Sequence, residues 1–312
     1  MVPRLSIDAL RAEYTFTKTT IGVRRLSIHI ALLLLTLFST TVVGVVLDHS
    51  FQVGRPIDLD QYVTVFSTIR AHPLVLLNGI AFSITLMTIL LAHEMGHYIA
   101  CRYYGIDATL PYFLPAPTPI GTLGAFIRIR SPIYTRRALF DVGIAGPIAG
   151  FVLLLPALAI GIAESKIIPG IANQGDLIFG VPAVQRVMEW LILPGVRSSD
   201  IYLHPVARAA WVGILATALN LLPIGQLDGG HILYSFVGRW HKHLSRFFIF
   251  VMVVFAITTR VWSWLFWAVL LFFFALRHPA IYDVSSLGAS RVKLGVMALI
   301  IFLLTFTLVP IH

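Results

Sequence analysis

Six apolar runs, at about residues 26–47, 73–101, 138–163, 205–223, 246–276 and 294–311, alternate with polar or Pro- and Gly-rich stretches. A helix that crosses a bilayer needs ~20 predominantly apolar residues. The fifth run is longer than one upright helix requires, and Arg260 sits near its middle, where a charge in hydrocarbon is costly. It therefore reads as two short helices meeting in a turn at Thr258 to Arg260. The pattern predicts an all-α polytopic membrane protein with about seven transmembrane helices.

Two connections break that pattern. Residues 107–132, "DATLPYFLPAPTPIGTLGAFIRIRSP", hold too many prolines and glycines for a spanning helix, and "GTLGAFIRIR" alternates as a short strand does. Non-helical backbone at membrane depth is tolerated when it is buried in protein or lines a wet cavity. A short membrane-embedded β-hairpin or strand is expected here. Residues 164–204 form the largest outer segment, with an amphipathic helix expected around Val181 to Leu193.

Composition agrees with the pattern. Of 312 residues, 58% are hydrophobic and 12% charged, against about half and about a quarter in soluble domains. The net charge of +9 raises the question of nucleic acid. Yet Arg24, Arg25, Arg136, Arg137, Arg239, Lys242, Arg246, Arg291 and Lys293 flank apolar runs instead of forming one patch. That distribution fits positive-inside topology and excludes nucleic acid as a partner. With the basic N-terminus inside, the second run returns to the cytoplasmic side and carries its polar residues near that end. Residues 1–25 read as a cytoplasmic leader ahead of a signal anchor. A bacterial inner (plasma) membrane, with the active site toward the cytoplasm, is the expected location. Cys101 is the only cysteine, so an internal disulfide is excluded.

The candidate chemistry lies in "LLAHEMGHYIACRYYG", residues 90–105. In H-E-x-x-H on a helix, residues i and i+4 share a face. His93 and His97 can then bind one metal ion while Glu94 addresses the attacking water. A catalytic zinc site takes three protein ligands and an open position. Cys101 is at i+8 from His93, ~12 Å along a helix, beyond reach of an ion with bonds of ~2 Å. The third ligand should come from another helix, and the acidic candidates are Asp141 and Asp228. Asp141 also reads as a helix N-cap. Asp228 follows Pro223 and Gly225 and precedes Gly229 and Gly230, where the backbone can unwind and aim a carboxylate inward. Asn220 lies close enough in sequence to donate to an oxyanion. His231 reads as a structural or supporting residue.

"AHEMGH", "GTLGAFIRIRSP", "LFDVGIAGPIAG" and "NLLPIGQLDGGH" together resemble the site-2 protease family of intramembrane zinc metalloproteases. The wording is similar to the branch that includes the plastid EGY-like proteins. The resemblance covers residues 73–240, the expected catalytic membrane core, between a first transmembrane helix at 26–47 and C-terminal transmembrane helices at 241–312. It implies that His93, His97 and Asp228 hold Zn2+, that Glu94 is the base and that Asn220 assists the oxyanion. It also implies that Gly121, Thr122, Leu123, Gly124 and Ala125 present a strand edge to a membrane-anchored protein substrate in the lipid bilayer. The outer segment is too short for the PDZ domain that many bacterial members carry. The alternatives are an inactive scaffold or chaperone of the same fold, a metal-binding transporter, and a membrane zinc hydrolase acting on lipid or soluble peptides.

Overall fold

Residues 23–275, 281, 283 and 285–310 are described in the computed structural model; the expected leader falls outside them up to residue 22. Long uninterrupted Leu, Val and Ile stretches form helices here because every backbone group is paired within the segment, as hydrocarbon demands. Ten helices follow in order among the described residues. They are α1 (Val23–Val53), α2 (Leu59–Ala71), α3 (Ile80–Tyr103), α4 (Arg136–Ala163), α5 (Ala183–Ile192), α6 (Pro205–Asn220), α7 (Asp228–Val237), α8 (His241–Thr259), α9 (Trp262–Ala275) and α10 (Ala289–Thr305). A 3-10 segment, Pro73–Gly79, leads into α3. The fifth apolar run divides as expected: α8 ends at Thr259, Arg260 takes a left-handed φ of 57°, and α9 begins at Trp262.

The expectation of about seven crossings is met only in part. Four helical stretches among the described residues are long and apolar enough to cross a membrane: Leu26–Val53, Pro73–Tyr103, Arg136–Ala163 and Asp228–Thr259. The run at 205–223 forms α6 of only 16 residues, ~24 Å at 1.5 Å per residue. Its apolar side chains face protein instead of lipid, since Ala207, Ala209, Ala210 and Ile214 are fully buried. Apolarity alone does not distinguish a core helix from a lipid-facing one. On α1, by contrast, Leu34, Leu35 and Phe38 are exposed, as lipid contacts would be. Helix α2 was not legible, because its apolar residues are interleaved with Asp60, Gln61, Thr64 and Ser67.

Small residues set the spacing of the central helices, as is common where lipid offers no hydrophobic drive to associate. A Cβ on Gly161 of α4 would lie 2.2 Å from the backbone nitrogen of Ala207 on α6. Phe82, Leu86, Ile89 and Leu90 of α3 and Leu154 and Leu158 of α4 are buried against Trp211 and Ile214 of α6.

The expected hairpin is present. Strand β1 (Tyr112–Pro115) pairs antiparallel with β2 (Thr122–Phe126), with Tyr112 opposite Phe126, Phe113 opposite Ala125 and an irregularity before Pro115 opposite Thr122. A second, smaller pair joins β3 (Lys166–Ile167) to β4 (Ile201–Tyr202) in the outer segment. The hairpin lies along α1. His29 Nδ1 donates to the Pro111 carbonyl at 3.0 Å, and Ser39 Oγ donates to the Gly121 carbonyl at 2.6 Å. Those contacts are ten residues apart on α1, or ~15 Å of helix, so the hairpin penetrates well into the helical bundle. The amphipathic outer helix appears as α5.

Candidate metal centre

Helix α3 presents His93, Glu94 and His97, all buried. Their i, i+1 and i+4 spacing puts the two imidazoles together on one face. Asp228 opens α7, after a non-helical turn from Leu221 to Leu227. Pro223 lacks the N–H that would continue α6, and Gly225 has φ of 55°. The following glycines allow the turn to fold back on the start of α7. A Cβ on Gly229 would fall 2.0 Å from the Leu221 carbonyl oxygen, and one on Gly230 2.3 Å from that of Gly225. The turn is also pinned from α8, where Ser245 Oγ accepts the Gly225 N–H at 3.2 Å and pairs with His241.

These elements bring three ligand atoms into one triangle. His93 Nε2 lies 3.1 Å from Asp228 Oδ2, His97 Nε2 lies 3.2 Å from the same oxygen, and the two nitrogens are 3.1 Å apart. Ligand atoms ~2.0–2.1 Å from a tetrahedral ion are separated by roughly 3.3 Å, close to all three edges. His97 Nδ1 donates to the Val142 carbonyl at 2.7 Å. In the neutral ring that bond leaves Nε2 as a lone pair aimed at the centre. Two imidazole nitrogens and a carboxylate oxygen are all electron-pair donors. Their convergence in a buried site is favourable when a cation, metal ion or proton, lies between them. The residues fit a metal ion by donor chemistry and by spacing.

Asn220, the last residue of α6, turns Nδ2 to within 3.2 Å of His93 Nε2. Helix α3, which carries Glu94, packs against strand β2 of the hairpin. The helix of the base candidate and the hairpin are thus neighbours, a contact between segments that no local sequence pattern announces.

Other expected residues divide. Cys101 is fully buried against Ile106, Ala138 and Val142, away from the triangle. The N-cap reading of Asp141 is corrected: Thr135 caps α4 through the Ala138 N–H. Asp141 instead forms a two-pronged ion pair with Arg291 of α10 at 2.9 and 2.6 Å, joined by the Tyr104 hydroxyl. In β2, Leu123 is 69% exposed. Around Gly124 (φ 101°) a Cβ would meet nothing within 4 Å, and its N–H is taken by Thr122 Oγ1 at 2.9 Å. Gly121 is closed off by α1, since its Cβ would lie 2.8 Å from the Ser39 carbonyl oxygen. Gly121 thus packs onto α1, while the space beside Gly124 is open.

A buried His–His–Asp triangle built on H-E-x-x-H, in a helical scaffold with four candidate membrane spans, defines a membrane metallohydrolase type of site. The chain belongs to Peptidase family M50, whose model matches residues 81–259. It is similar to the probable zinc metalloprotease EGY1, chloroplastic, of Arabidopsis thaliana, 28% identical over 97% of this chain and 56% of the relative. The rice (Oryza sativa subsp. japonica) protein of the same description is 29% identical over 76% of this chain and 42% of its own length. A probable zinc metalloprotease EGY2, chloroplastic, of Oryza sativa subsp. indica is 30% identical over 72% and 40%. The chain spans about half the length of these relatives. Their descriptions are chloroplastic and lend no support to the expected bacterial inner membrane.

Proposed function

We propose that this protein is an intramembrane zinc metalloprotease that hydrolyses peptide bonds in or near transmembrane segments of membrane-anchored proteins. The observation that carries the reading is the triangle of His93 Nε2, His97 Nε2 and Asp228 Oδ2, with edges of 3.1 to 3.2 Å. His93, His97 and Asp228 would hold zinc, and the zinc metalloprotease descriptions of the relatives support that choice. Zinc, when bound, supplies Lewis acidity to the scissile carbonyl and to the attacking water.

The chain's own residues do the rest. Glu94 accepts a proton from the attacking water as the new C–O bond forms, then delivers it to the amide nitrogen as the C–N bond breaks. Asn220 Nδ2–H donates to the oxygen that becomes negative in the tetrahedral state. Hydrolysis needs an extended segment, because a peptide bond inside a helix is hydrogen-bonded and shielded. The edge of β2, with Leu123 exposed and open space beside Gly124, offers main-chain groups to such a segment. Basic stretches at Arg128 to Arg137 and Arg239 to Arg246 support an orientation with the centre toward the cytoplasmic side.

The test is elemental analysis of the purified chain together with cleavage of a model transmembrane substrate. About one zinc per chain is expected, with cleavage abolished by a chelator and restored by zinc. Chelator-resistant cleavage, or a chain that binds no zinc when supplied with it, overturns the reading.

Two further outcomes follow. Cys101→Ala should retain zinc and most activity, because its sulfur packs away from the triangle; loss of zinc in this variant would refute the ligand set. In that cysteine-free background, a cysteine at Leu123 should crosslink to a cysteine placed beside the scissile bond of a trapped substrate. A cysteine at Asn173 in the outer segment should not. Equal crosslinking at both positions would remove β2 as the docking edge.

A further inference from the structure

The zinc reading leaves open what holds the two imidazoles in place before any ion arrives. Two buried histidines on one helix have other rotamers, and the i, i+4 spacing does not choose among them. The neighbouring helix does. A Cβ on Gly146 of α4 would lie 2.1 Å from His97 Nε2 and 2.5 Å from both Cδ2 and Cε1. One turn further on, a Cβ on Gly150 would lie 3.2 Å from His93 Cβ and 3.3 Å from its Nδ1. One turn before, the Val142 carbonyl accepts from His97 Nδ1. The backbone of α4 thus touches the His97 ring on its metal-facing side and grips it from behind.

We infer that Gly146 is a positioning residue for zinc: its missing side chain is the space that the His97 imidazole occupies when Nε2 faces Asp228 and His93. The inference rests on the proposed zinc site and goes beyond it, because no ligand is altered. A methyl group at 146 meets the far end of a side chain, not backbone. The ring can therefore swing aside and the helices stay together, but Nε2 then leaves the triangle. Alanine is also the better helix former, so α4 itself should not suffer. Gly161, on the same helix, is the opposite case. Its neighbour is the backbone of Ala207: a Cβ at 161 would lie 2.2 Å from that residue's nitrogen and 2.6 Å from its Cα, so substitution there must part α4 from α6.

The experiment compares Gly146→Ala, Gly150→Ala and Gly161→Ala in the full chain. It measures zinc affinity by competition with a chromophoric chelator, the visible spectrum of the cobalt-substituted protein, and the thermal midpoint of the zinc-free protein. Gly146→Ala should weaken zinc binding ~10–100-fold, the range typical of residues that orient a metal ligand, and should change the cobalt spectrum while leaving the zinc-free midpoint unchanged. Gly161→Ala should lower the midpoint and keep the parent's zinc affinity. Parent-like affinity in Gly146→Ala overturns the inference. Should that variant fail to accumulate, Gly150→Ala decides: a several-fold loss of affinity supports the mould and parent affinity overturns it. A parent chain that binds no zinc at all would instead refute the zinc reading itself.

Discussion

Glu94→Gln is expected to lower turnover ~10²–10⁴-fold, the usual contribution of general acid–base catalysis, while zinc content stays at the parent level. The amide is nearly isosteric with the carboxylate. It fills the same buried space, so neither the fold nor the metal ligands should be disturbed. What is lost is a group able to carry a proton from water to the leaving amine. Cleavage rates and zinc content measured on the same preparation check this. A variant that cleaves at the parent rate would show that another group is the base. The same variant should retain bound substrate, and recovering that substrate by affinity capture and mass spectrometry would identify the sequences this protein acts upon.

The second large effect is expected from the ligands. His93→Ala combined with His97→Ala removes two corners of the triangle, and zinc should fall from about one per chain to near none, with cleavage abolished. A single carboxylate cannot hold the ion, since a structural or catalytic zinc site requires three or four protein ligands. The double variant also leaves the Asp228 carboxylate without the imidazoles that now lie 3.1 and 3.2 Å away. Buried charge stripped of its partners is destabilising, so Asp228→Asn is the companion variant. It keeps shape, removes the charge and should weaken zinc binding with a smaller loss of stability. Zinc retained in the double variant would mean that the ion sits elsewhere.

Particular residues show how far the sequence could be read. His93, Glu94 and His97 were legible because helical periodicity is fixed by backbone hydrogen bonding and needs no tertiary information. The turn before Asp228 was legible because Pro223 and Gly225 restrict or free the backbone locally. The hairpin was legible from prolines, glycines and an alternating run. The surroundings of α6 were not, because it is as apolar as a lipid-facing helix yet is buried by α3 and α4. Asp141 was read as a cap, and its partner Arg291 stands 150 residues away, where no local rule reaches.

The sequence by itself determined which side chains the site has to work with: two histidines and a glutamate on one helical face, and an aspartate where the chain must unwind. Local backbone chemistry decides both. Only the tertiary structure decided how those groups meet. It placed Asp228 Oδ2 against both imidazoles, set the Val142 carbonyl and the bare backbone of Gly146 around the His97 ring, and packed the helix of Glu94 against the hairpin. Those contacts depend on how closely helices distant in sequence can approach, and that distance is set by packing of small residues across the whole bundle, which no single segment encodes.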